Sequence, residues 1–365
     1  MRVLIVIAHP GHVHLFKNMV WKLEEHGHTV KILAREKEMV FYLLDKYGFE
    51  YTPIGKMHST KIGKAYELIT TDYKCYKLAR KFDPDILIDL GLYGVHAARL
   101  TGKPSIVFND TEWLKFKDIL SYPFTDVICT PSCFKEDLSK KQVRYNGYHE
   151  LAYLHPNYFK PDPSVLGELG LGEGERFIVV RFTSWTASPD TNLHGLTNKK
   201  ELVKKLENYG RVFITSESEL SEDLKEYKML ISPEKLHSAL YYASLYIGDG
   251  GTTAVEAALL GTPAVHFEAF KSKSKRTVDA TRFGNFDELV NKYGMLYTFC
   301  DQNKAINKAL ELLQDENAKQ VLKSKREQLL KEKIDVTEFM VDFIENYPES
   351  LRLYNERGMV SSKNA

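Results

Sequence analysis

Residue types able to do chemistry gather in a few short segments, and the densest is Gly248-Asp249-Gly250-Gly251-Thr252-Thr253-Ala254-Val255-Glu256. Adjacent glycines let a backbone approach a ligand with no side chain in the way. Thr252 and Thr253 are expected to cap the helix that follows and to offer hydroxyls. The unpaired N–H groups of a first helical turn, with the helix dipole, attract phosphate. Glu256, about one turn further on, is placed to accept hydrogen bonds from the hydroxyls of a ribose. The alternative is a tight strand-to-helix turn in which Glu256 merely complements the dipole. The segment is neither a Walker loop nor a G-x-G-x-x-G fingerprint, so ATP hydrolysis and dinucleotide redox chemistry have little support.

Arg181 ends the otherwise apolar run 177–182, with Ser184 and Trp185 just beyond it. A guanidinium there can grip a diphosphate with two donors, or it can form a salt bridge, with Asp190 as one partner. The segment Ile231-Ser232-Pro233-Glu234-Lys235-Leu236-His237 precedes a further helix, and His237 reads equally as part of a ligand loop or as a helix-surface residue. Near the N-terminus, His9, Gly11, His12 and His14 follow the first apolar run. His12 or His14 can act as a base or phosphate donor near neutral pH, or as a helix cap. Their spacing does not put them on one helix face and no carboxylate lies nearby in sequence, so no metal site is expected. Asp110 and Glu112 follow the run 105–108. Asp110 is a candidate general base, or the cap of a helix at Trp113–Phe116. Asp83-Pro84-Asp85 reads as a turn.

Positioning these groups requires strands that end where they begin. In the first half, apolar runs at 3–8, 29–34, 86–90, 105–108 and 127–129 alternate with helical spacing at 13–26 and 63–81. The pattern predicts a parallel sheet covered on both faces. Prolines and glycines crowd residues 157–176 and mark a linker. Alternation then resumes, with strands expected at 177–182, 211–215, 245–248 and 263–267 and helices at 199–208, 233–243 and 253–260. The expected division is a first α/β domain over 1–160, a second over 161–335, and a helical tail over 336–365 that packs back on the first.

The 365 residues exceed what one core usually supports. Lys plus Arg (50) balances Asp plus Glu (49) for a formal charge of +1, which removes support for a nucleic-acid partner and makes any anion site local. The run Val3–Ala8 is too short for a signal peptide or a membrane span, and the four cysteines form no Cys-x-x-Cys pair, so a cytoplasmic protein with reduced thiols is expected. Peripheral membrane contact stays open.

The segment from Pro233 to Pro263 resembles the donor-binding half of GT-B glycosyltransferases, the MurG type among them, and of non-hydrolysing UDP-N-acetylglucosamine 2-epimerases. The whole chain is similar to a largely archaeal, uncharacterised GT-B-like family. The resemblance implies a GT-B fold, two doubly wound Rossmann-like domains facing across a cleft, with the nucleotide sugar held mainly by the second. It implies that Arg181, Ser184, Gly250, Gly251, Thr252 and Thr253 face the diphosphate, that Glu256 holds the ribose and that Ile231 covers the base. Gly11 and His12 would belong to a loop touching acceptor or phosphate, with His14 and Asp110 left for acid–base work. The preferred activity is transfer of a sugar, UDP-linked by expectation, to an unknown hydroxyl acceptor without a cofactor or metal. The alternatives are a 2-epimerase-like isomerase or hydrolase, for which Asp89 stands before Gly91 rather than after it, and a non-catalytic nucleotide-sugar-binding protein.

Overall fold

The structure is a computed structural model that describes residues 1–56, 60–113, 119–183, 196–268, 270–271, 277–278 and 280–363. The chain forms two compact units, Met1–Tyr158 with Ile334–Ala365, and Phe159–Lys333.

In the first unit the strands are β1 (Arg2–Ile7), β2 (Thr29–Glu36), β3 (Tyr51–Lys56), β4 (Ile86–Asp89), β5 (Ser105–Phe108), β6 (Val127–Pro131) and β7 (Gln142–Tyr145). They form one parallel sheet in the order β3-β2-β1-β4-β5-β6-β7. Sheet order reverses between β1 and β4, the topological switch point of a doubly wound fold. The central strand is apolar on both faces because helices cover both: Val3 to Ile7 are all 1% exposed or less. Each such side chain contributes roughly 1.5–3 kcal/mol.

Two helices lock the chain ends into this unit. The helix Pro10–Glu25 packs against Val336–Glu345, and Asn18 and Thr337 each donate to the Ala152 carbonyl, at 2.7 and 2.8 Å. His26 and His28 both reach Glu345 Oε1. Gly147 is required because a Cβ there would run into Val336 Cγ2.

In the second unit the strands are β8 (Phe177–Phe182), β9 (Arg211–Ser216), β10 (Leu245–Gly248), β11 (Ala264–Phe267), a β12 (Phe270–Lys271) and β13 (Thr277–Val278) antiparallel pair, and β14 (Leu296–Phe299). The main sheet is parallel, in the order β14-β11-β10-β8-β9. One face of its core is filled by Ile178, Val180, Ile247 and Val265 against Leu202, Leu206, Ile306 and Leu313.

The chain departs from expectation at several points. No strand was expected at β3, β7 or β14, all of which are edge strands. Of the helix at Trp113–Phe116, the alternative to Asp110 as a base, only Trp113 is described, with a left-handed φ of 63°; residues 114–118 lie outside the described residues. Asp83 (φ 49°) forms the expected turn, and Asp85 accepts the Arg2 N–H at 2.7 Å.

Candidate functional site

At the carboxyl edge of the second sheet, strand register sets Thr215, Arg181, Gly248, His266 and Thr298 in one row across the five strands. In-register parallel neighbours share a face, so these groups converge there. Gly248 lacks a side chain because a Cβ would lie 2.6 Å from the Arg181 carbonyl oxygen and 2.8 Å from Tyr246 Oη. At Gly250 a Cβ would lie 2.7 Å from Arg181 Cδ and 2.9 Å from its Nε, so the glycine makes room for the guanidinium stem. The fully buried Tyr246 donates its hydroxyl to the Gly250 carbonyl at 3.0 Å. Asp249 Oδ1 accepts from the Thr183 N–H at 2.6 Å and the Thr183 hydroxyl at 3.1 Å. These bonds fix the turn.

The helix after the turn runs Gly251–Leu259, with Gly250 as its N-cap and no described side chain bonded to the cap. Thr252 and Thr253 therefore do not cap it, contrary to expectation. The helix starts before them, which puts Thr252 exposed and Thr253 buried within its first turn. Its first backbone bond is Ala254 N–H to the Gly250 carbonyl, at 3.1 Å. The N–H groups of Gly251, Thr252 and Thr253 precede that bond and point out of the helix end.

Glu256 is 6% exposed and meets His237 Nε2 at 3.0 Å. His237 lies on the short helix Leu236–Tyr242 and is itself buried, so its reading as a helix-surface residue is corrected. Ile231 is half-buried in the loop before that helix. Arg181 pairs with Glu217 at 3.1 Å. Ser184, Trp185 and Asp190 lie outside the described residues. His266 sequence reasoning missed: it is buried, its Nδ1 lies 3.2 Å from Thr298 Oγ1, and burial drives its imidazole down to about 3, so it is neutral at physiological pH.

The carboxyl edge of the first sheet is organised differently. His9 caps the Pro10–Glu25 helix by accepting the Gly11 N–H at 3.1 Å, and His12 Nδ1 accepts the Ala8 N–H at 3.3 Å. His14 packs against Tyr153, with rings 5.5 Å apart, and its Nδ1 lies 3.4 Å from the Tyr47 hydroxyl. Asp89 does more than end β4. Its carboxylate accepts the Gly94 and Leu92 N–H groups at 2.7 and 3.1 Å, and burial raises its pKa against those bonds. A cavity of about 450 Å³ at the β1/β4 switch point is lined by His9, His12, Arg35, Lys37, Asp89 and Tyr93.

Asp110 follows β5 and remains partly open to solvent, with its Oδ2 3.2 Å from Nδ1 of the buried His149. The His149 Nε2 is buried and has no hydrogen-bond partner among the described residues. Asp110 and His14, paired in expectation as acid–base candidates, thus receive different neighbours. His149 follows β7, the unforeseen edge strand. The signal that could have exposed it is the titratable pair His149-Glu150 shortly after a short alternating run, past the Asn146-Gly147 turn. Glu112 is buried and accepts the Lys135 N–H at 3.2 Å.

Comparison with known proteins places the chain. It belongs to the family described as a protein of unknown function (DUF354), whose model matches residues 1–349. The uncharacterized protein MJ0665 of Methanocaldococcus jannaschii is 24% identical over 276 residues, covering 72% of this chain and 80% of that protein. Among solved structures, the MnaA–UDP complex of S. aureus matches with a TM-score of 0.64 at 12% identity, over 96% of this chain and 98% of that one. The glycosyltransferase SsfS6 of Streptomyces sp. SF2575, complexed with thymidine diphosphate, matches with a TM-score of 0.57 at 14% identity, over 93% and 99%. At such identities the likeness establishes the fold: two parallel-sheet α/β units of the GT-B kind. No described helix is long and apolar enough to cross a membrane.

Proposed function

We propose that this DUF354 chain is a GT-B-type glycosyltransferase whose Phe159–Lys333 unit holds a nucleoside-diphosphate sugar at the carboxyl edge of β8, β10 and β11. The observation that carries the reading is the uncapped helix end at Gly250 and Gly251 beside Arg181, with a buried, His-bonded carboxylate one turn on. The N–H groups of Gly251, Thr252 and Thr253 bind the pyrophosphate, and Arg181 supplies the cation. Glu256, oriented by His237, accepts from the ribose hydroxyls. Stabilising the departing diphosphate is the main catalytic work, and these groups do it without metal. Ile231 borders the base.

On the acceptor side, Asp110 is the general base. Its carboxylate is reachable from solvent while the buried His149 fixes its orientation. A base held this way contributes about 10²–10⁴-fold. Two nucleotide-bound relatives of the same fold support the ligand class.

The test is a thermal-shift series with UDP, thymidine diphosphate and their sugar conjugates. A ligand that binds only the folded state raises Tm by mass action. A preferred nucleotide sugar is expected to stabilise the wild type and not Glu256→Ala; an equal shift in both would remove the site. Incubation with the donor alone then separates transfer, which leaves the sugar unchanged, from isomerisation.

A further inference from the structure

The helix Lys61–Phe82 turns an unusual face to water. Tyr66, Ile69 and Tyr73 are 64%, 70% and 63% exposed, and the exposed charges among its described side chains are Lys74, Lys77, Arg80 and Lys81. Its two acids are turned inward: Glu67 is buried against Arg35 at 2.6 Å, and Asp72 holds His96 at 2.7 Å. Positions 66, 69, 73, 77 and 80 recur every three or four residues and so form one stripe, apolar toward the helix start and cationic toward its end.

His96 joins this stripe to two neighbouring segments. It sits on the helix Tyr93–Thr101, and its Nε2 lies 2.5 Å from the Leu120 carbonyl oxygen. One turn on from His96, Leu100 is 67% exposed; beside Leu120, Ile119 is 70% exposed. The half-exposed Phe124 sets its ring 5.3 Å from the His96 imidazole. Exposed apolar groups from three segments therefore gather around one half-buried tie. Across 61–82, 93–101 and 119–124 no exposed described side chain is acidic, and Arg99 extends the cationic rim.

We infer that this face docks on a membrane surface rich in anionic lipid. Single exposed apolar residues are ordinary, but a contiguous group rimmed by one sign of charge marks an interaction surface. Tyrosine suits the headgroup level, with its ring in the apolar layer and its hydroxyl in water. Lysine and arginine stems lie along apolar surface while their heads meet lipid phosphates. The same cations, with the rings of Tyr66, Tyr73 and Phe124, would suit a nucleic acid, but the exposed aliphatic Ile69, Leu100, Ile119 and Leu120 have no use there and can all enter an acyl layer. The inference stands whether or not the sugar-transfer reading is correct.

Co-sedimentation of the full chain tests it, with phosphatidylcholine vesicles in which phosphatidylglycerol is about a third of the lipid, against phosphatidylcholine alone. Binding is expected to the anionic vesicles and to weaken with salt. The triple variant Tyr66→Ser, Ile69→Ser, Tyr73→Ser and the double variant Lys77→Glu, Arg80→Glu should each lose at least about ten-fold in partitioning. All five side chains are exposed, so Tm should not move, and an unchanged Tm keeps the loss attributable to the surface. No binding by the wild type, or equal binding by both variants, overturns the inference. So does vesicle-free dimerisation abolished by the triple variant, or oligonucleotide binding abolished by the double variant in place of vesicle binding.

Discussion

In the Met1–Tyr158 unit, side chains of the protein itself take backbone N–H groups at the starts of the helices that follow β1 and β4: His9 takes that of Gly11, and Asp89 those of Leu92 and Gly94. In the Phe159–Lys333 unit, the helix that follows β10 begins at a glycine with no described side chain on its cap. Both are strand-to-helix turns at the carboxyl edge of a parallel sheet, where doubly wound folds place ligands. The first edge satisfies its own donors and keeps an ionisable pair, Asp110 and His149, at the end of β5. The second has no described side chain bonded at its helix cap. In the proposed function the two edges divide the labour: phosphate binding at the edge whose helix has no described side chain on its cap, and proton transfer at the edge that carries Asp110 and His149.

The contrast breaks most visibly if Asp110→Asn leaves turnover intact. Loss of a general base should lower the transfer rate about 10²–10⁴-fold while the UDP thermal shift survives, because Asp110 belongs to the other unit's chemistry. Next in size is Glu256→Ala, which deletes the proposed ribose acceptor and takes its carboxylate away from the buried His237. A fall of about 10–100-fold in UDP affinity by calorimetry is expected, at about 1–3 kcal/mol for a lost charged hydrogen bond. Gly250→Val should weaken UDP binding by roughly ten-fold, since about 1.4 kcal/mol is one decade. The new Cβ must push the Arg181 stem aside, and that side chain can yield, so Tm should fall little.

A pH series sharpens the same comparison. His266 is neutral in the folded protein down to about 3 but titrates near 6.5 when unfolded. Between these values the unfolded chain binds the extra proton, so stability is full above pH 6.5 and falls on acidification by about 1.4 kcal/mol per pH unit at most. Denaturant unfolding of His266→Phe from pH 6.5 to 4 should show a shallower loss than the wild type; parallel curves would mean that His266 is not held neutral. The smallest effect is expected for Thr252→Ala. In the proposed site its backbone N–H, not its exposed hydroxyl, is the phosphate donor, so UDP affinity should change less than about two-fold.

What could be read in advance followed from burial. β1, β8 and β10 lie inside their sheets and are covered on both faces, so each appears in the sequence as an apolar run, interrupted in β8 by Arg181 near its end. The glycine turn beside β10 was legible for the same reason, because a recognisable strand leads directly into it. β3 and β7 are the two edges of the first sheet: β3 buries Ile54 between Pro53 and Gly55, and β7 alternates buried and half-exposed residues. Such short edges carry no continuous apolar signal. Missing β7 hid His149, whose partner Asp110 lies 39 residues earlier in the chain. The His237–Glu256 bond joins two helices across 19 residues, and His266 gains meaning only from its place in the row with Gly248 and Arg181. Spacing along one segment does not encode pairs made by tertiary packing. The Thr252 and Thr253 caps were misread because a hydroxyl just inside a helix looks in sequence like one just outside it.

The most direct test follows the backbone amide resonances of Gly251, Thr252 and Thr253 during titration with UDP. These three should show the largest shifts in the Phe159–Lys333 unit, with the Gly11 and Gly94 amides, already bonded to side chains, almost unmoved. If UDP binds and the three stay still while the Gly11 and Gly94 amides shift, the phosphate lies at the other edge and the assignment of roles to the two sheets is wrong.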